Sequence, residues 1–138
     1  MRYRFLPLAA LALASTVAIS PMTQAQNNLF GGVPLDATIM RAGSTAQKIA
    51  RLKSVPAVGV INLRRDLIRP FQGIGNYTDD IQSTKLTVEK NASGVNRMRK
   101  ALRNNPVTRN ALADYGISIN RVVGVDVGSN GALRVYVL

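Results

Sequence analysis

The 138-residue chain contains no cysteine, no histidine and no tryptophan. Without cysteine and histidine it lacks the usual thiolate nucleophile, the commonest general base and the commonest zinc ligands. A serine–histidine triad is excluded. No disulfide can form, so the fold must be held by packing alone. Acids are also scarce: 7 Asp and Glu stand against 18 Lys and Arg, a net charge of +11. Aromatic residues make up 5% of the chain and do not interleave with the arginines. Base stacking needs such aromatics, so nucleic acid is a disfavoured partner.

A long apolar run occurs only at the start. Met1-Arg2-Tyr3-Arg4 carries two positive charges, and Phe5 to Ala14 is uninterruptedly apolar. Ser15, Thr16 and Ser20 end the run short of the 18 or so residues of a membrane span. Thr23-Gln24-Ala25 then places small residues three and one before a cut. The pattern predicts a secretory signal peptide over 1–25, cleaved after Ala25. Its short Ala/Leu-rich character is bacterial, which makes the destination the periplasm or the exterior. With no cysteine, a bacterial lipoprotein anchor is excluded. The remaining 113 residues suit one small domain. Removing Arg2 and Arg4 leaves 16 basic against 7 acidic residues, a net of +9. Two sequons, at Asn76 and Asn91, are read as chance occurrences in such a chain.

Gln26 to about Met40 has no periodicity, and 26–43 is expected to be a flexible mature N-terminus. A domain over 44–138 is expected to follow. Ser44 is a candidate N-cap for a helix over 44–53, with Ala46, Ile49 and Ala50 at helical spacing. Pro56 ends it. Ala57 to Leu63 is apolar at both parities, which predicts a strand covered on both faces. Residues 69–76 carry loop signals. Thr78-Asp79-Asp80 is a candidate cap for a helix from about Ile81. Val88, Ala92, Val95, Met98 and Leu102 then recur at intervals of four and three, predicting a helix over 88–103. Gly94 within it is a candidate point of close approach. Asn105-Pro106 starts the next helix and Gly116 stops it.

The C-terminus predicts a β-hairpin with a register. A three-residue loop at Ser129-Asn130-Gly131, with Gly131 left-handed, pairs Val127 with Leu133, Val125 with Val135 and Val123 with Val137. One face is then wholly apolar. The other sets Asp126 opposite Arg134 and Gly124 opposite Tyr136, whose ring would cover the glycine. About three short helices packed on a small sheet with this hairpin make an α+β two-layer domain.

Catalytic candidates are few. Asp79-Asp80 is read as a helix cap rather than a carboxylate pair. Residues 126–131 are read as a hairpin turn, since they lack both a phosphate loop's Lys-Ser/Thr end and a calcium loop's acids. Ser44 with Lys48 is a chance helical spacing. No catalytic residue, metal or cofactor is expected. The positive signal is basic: Arg97, Lys100 and Arg103 on one side of the best helix, with Arg99 and Arg109 nearby, and Arg64, Arg65 and Arg69 after the first strand. Such clusters suit phosphates, sugar acids or carboxylates.

The expectation is an exported, non-enzymatic protein of a Gram-negative bacterium. Its basic helix face would bind an anionic envelope component or an acidic partner protein. The alternative is an accessory protein that assembles with partners through an open sheet edge. A small carboxylate hydrolase is the third, weaker reading.

Overall fold

A computed structural model describes residues 34–66 and 77–138. The segment expected to be a signal peptide (1–25), residues 26–33 and the segment 67–76 with Arg69 lie outside the described residues. The domain is α+β, with six α-helices and a three-stranded mixed sheet among the described residues. In chain order these are α1 (Leu35–Met40), α2 (Ala42–Ala50), β1 (Val58–Asn62), α3 (Leu63–Asp66), α4 (Tyr77–Lys90), α5 (Ala92–Asn104), α6 (Pro106–Asp114), β2 (Val122–Val127) and β3 (Leu133–Val137). A 3-10 turn at Ile119–Arg121 leads into β2. No helix among the described residues is long and apolar enough to cross a membrane.

The hairpin has the expected register over most of its length. Val127, Val125, Asp126 and Gly124 oppose Leu133, Val135, Arg134 and Tyr136. Gly131 is left-handed at φ 85°, and Gly128 N–H donates to the Ala132 carbonyl to close the loop. The pairing departs at the far end. An irregularity between Val122 and Gly124 places Val122, not Val123, opposite Val137. The extra residue turns Val123 to the opposite face, where it packs with Leu63 and Tyr136. Val122 takes the place in the main core.

β3 is the central strand, in the order β1-β3-β2, and β1 runs parallel to it. The expectation that β1 is covered on both faces is corrected: none of its residues is fully buried, and Val60 is 37% exposed. Val58 packs against the main core and Ile61 against the smaller cluster, so its apolar positions meet both clusters in part.

The main core lies between the sheet and helices α1, α2, α5 and α6. Ile39, Ile49, Val95, Met98, Leu102 and Leu112 meet Val125, Leu133 and Val135 there. A smaller cluster of Leu63, Val123 and Tyr136 covers the other face, with Leu35 and Val88 joining both.

The packed chain starts before residue 44. Leu35–Met40 is helical within the segment expected to be flexible, and Ile39 is fully buried. Arg41, not Ser44, precedes α2, and Ser44 Oγ donates back to the Arg41 carbonyl at 2.9 Å. α2 ends at Ala50, before the expected 53. The expected helix over 88–103 is two helices broken at Asn91, and α4 begins at Tyr77, earlier than Ile81. At the break Asn91 has φ −115° and ψ 30°, and its Nδ2 donates to the Ile39 carbonyl, tying the turn to α1.

The punctuation of α6 follows the sequence. Asn105 accepts from Val107 N at 2.9 Å, Pro106 follows, and Gly116 sits at φ 66°. Gly116 N and Ile117 N close onto the Ala113 and Leu112 carbonyls, a Schellman ending.

Candidate anion-binding face

α5 has a clean two-sided pattern. Val95, Met98 and Leu102 recur at three and four positions and are fully or nearly fully buried. The same spacing turns Arg97, Lys100 and Arg103 outward, and all three are exposed. α2 lies beside α5 in the most extensive helix pairing among the described residues. The two run in the same sense, because Gly43 meets Gly94 and Arg97 at one end while Asn105 reaches α2's last turn at the other.

Small residues set the spacing. A methyl group built on Gly43 would stand 3.6 Å from the Gly94 Cα and 3.4 Å from Arg97 Nη2. One built on Gly94 would fall 2.7 Å from the Asn91 amide. The close approach expected of Gly94 is therefore present. Asn105 locks the other end: its Nδ2 donates to the Ile49 carbonyl at 2.8 Å and the Leu52 carbonyl at 2.9 Å. Its cap to α6 and its tie to α2 come from one buried side chain.

Along this seam runs an open groove of about 650 Å³. Ala46, Ala50, Leu52 and Ala101 form its apolar lining; Arg97 and Lys100 supply its charge, and no carboxylate lines it among the described residues. Two cations one helical turn apart over a shallow apolar trough can hold an anionic group by direct hydrogen bonds.

The other basic candidates separate. Arg103 turns to Asn120 Oδ1, where its Nη2 donates, and it does not line the groove. Arg99 folds inward, its Nε donating to the Val122 carbonyl at 2.8 Å. Burial, and then the charge of Arg103, hold the Arg99 guanidinium below its ordinary pKa. Arg64 and Arg65 lie in α3 at the end of β1, exposed and apart from this groove. Of the basic residues on this side of α5, Arg97 and Lys100 line the groove.

A second polar arrangement escaped the sequence reading. Asp126 accepts from Thr38 Oγ1 at 2.9 Å and from the Tyr136 hydroxyl at 3.1 Å. Thr38, Arg134 and Tyr136 are buried, so Asp126 and Arg134 face each other on a covered side of the sheet. The ring of Tyr136 does lie against Gly124, 3.5 Å from where a Cβ would stand. The register alone signalled the pairing. The missing information was α1, whose Thr38 and Leu35 cover the strand edge. Both Asp126 oxygens are committed to this tie, which joins α1 to the hairpin.

Compared with known protein families, curated proteins and solved structures, the chain matches none.

Proposed function

We propose that the protein is exported through its N-terminal leader and works without catalysis, holding a phosphate-bearing component of the cell envelope on the α2–α5 face. One observation carries this reading: Arg97 and Lys100 are exposed together on a groove that, among the described residues, no carboxylate lines. Structural packing does not require that arrangement. Buried partners are already supplied to Arg99, and Asn120 engages Arg103, whereas Arg97 and Lys100 remain at the surface. The leader supports the destination, and a mature charge of +9 supports attraction to envelope polyanions.

The test is retention of the purified protein on vesicles of phosphatidylglycerol and on lipopolysaccharide as salt rises. Exposed charges are screened within roughly 4–5 Å at about 0.5 M salt, so binding should disappear there. Retention indifferent to salt contradicts the reading.

A further inference from the structure

We infer that β1 is a strand-addition site for an extended, acidic segment of a partner protein. The inference uses a different surface from the α2–α5 groove.

β1 pairs on one side only. It is the outer strand of the sheet, and no described strand lies beyond it. Its ladder to β3 sets which backbone groups face out. Leu133 N–H donates to the Ala57 carbonyl, and Val58 is register partner of Leu133. In a parallel ladder both groups of one residue face the same side, and the next residue's face the other. Ala57, Gly59 and Ile61 therefore serve β3, while the N–H and C=O of Val58 and Val60 point toward the open edge.

Among the described residues, the strand itself carries none of the usual edge protection. Val58–Asn62 holds no charge and no proline, and its pairing with β3 shows no bulge. Val60 is 37% exposed, and nearby Tyr115 is 52% exposed. Beside the strand, Val60, Asn62, Tyr115, Ile117, Arg121 and Val137 line a hollow of about 180 Å³. An added strand would place one side chain in two over this hollow.

Charge selects the occupant. Arg64 and Arg65 are exposed where β1 ends, and Lys53 is exposed just before it begins. A segment with carboxylates flanking an uncharged centre matches that pattern. A second copy does not. Two-fold antiparallel pairing about Val60 would bring Arg64 and Arg65 of one copy toward Lys53 of the other.

The probe is a fluorescent peptide of alternating valine and threonine with glutamates at both ends. Anisotropy titration should show binding. The same peptide N-methylated at every central residue loses the donors on both of its edges, and losing such bonds should weaken binding about tenfold or more. A lysine-ended peptide should bind similarly poorly. Val60→Pro should match the N-methylated result, since the N–H it removes faces away from β3. Amide exchange supplies a readout free of any substitution: peptide should slow exchange at Val58 and Val60. Arg97→Glu with Lys100→Glu should leave peptide binding unchanged. Equal binding of the N-methylated or the lysine-ended peptide overturns the inference. So does sedimentation showing a dimer that Val60→Pro dissolves, which would assign the edge to a second copy.

Discussion

Thr38 in α1 donates its hydroxyl to Asp126 in β2 at 2.9 Å, across 88 positions of sequence. The bond joins the first described helix to the C-terminal hairpin. Thr38 is 2% exposed, so its partner is lost without replacement when the hydroxyl is removed. Thr38→Val keeps the shape and should destabilise the domain by about 1–2 kcal/mol, measured by urea unfolding. Unchanged stability would mean that α1 is not fastened through this contact.

Asn105 has three partners in two directions. It accepts from Val107 N and donates to the Ile49 and Leu52 carbonyls. Asn105→Ala should cost roughly 2–3 kcal/mol, from the lost cap and the lost bonds to α2. Asn105→Asp keeps the cap but replaces the amide donor with an oxygen facing two carbonyls. If the cap were the whole contribution, Asp would restore stability. The double role predicts that Asp is at least as destabilising as Ala in thermal melts at neutral pH.

Tyr136 gives the fold an alkaline signature. Burial raises the phenol above its ordinary value of 10.0, Arg134 opposes the shift, and the charge of Asp126 adds to it. The unfolded phenol therefore ionises first. Its contribution to stability is fully present below about pH 10 and is lost as the pH climbs through the raised folded value. Tyr136→Phe lowers stability at neutral pH by removing a donor to Asp126. It should also flatten the decline above about pH 10 relative to the parent. An identical slope for both proteins in alkaline unfolding would show that the phenol titrates freely.

Legibility in the sequence followed the strength of local signals. The hairpin register was readable from Val127 back to Gly124, because alternating valines oppose Leu133 and Val135 and Gly131 sets the loop. It was unreadable at Val122-Val123, where two identical apolar neighbours hide which one faces the core. α1 was invisible because six residues carry no full apolar period, and tertiary contacts through Thr38 and Ile39 hold it. β1 read as enclosed because its composition matches a buried strand. Only the topology shows that it pairs once. The basic side of α5 followed from helical spacing, and Arg97 and Lys100 kept their outward place. Arg103 is exposed too, but it reaches Asn120, 17 residues on, and does not line the groove. That contact depends on how the turn before β2 packs.

The central claim is that Arg97 and Lys100 act as a pair on the α2–α5 groove. The direct measurement is affinity for phosphatidylglycerol vesicles of Arg97→Glu with Lys100→Glu, set against Lys85→Glu with Lys90→Glu on α4. Both double variants change net charge equally, and all four side chains are exposed, so the fold should be kept. The account predicts at least about a tenfold loss for the groove pair and a much smaller loss for the α4 pair. Equal losses in the two variants would contradict it, because binding would then follow total charge and not this site.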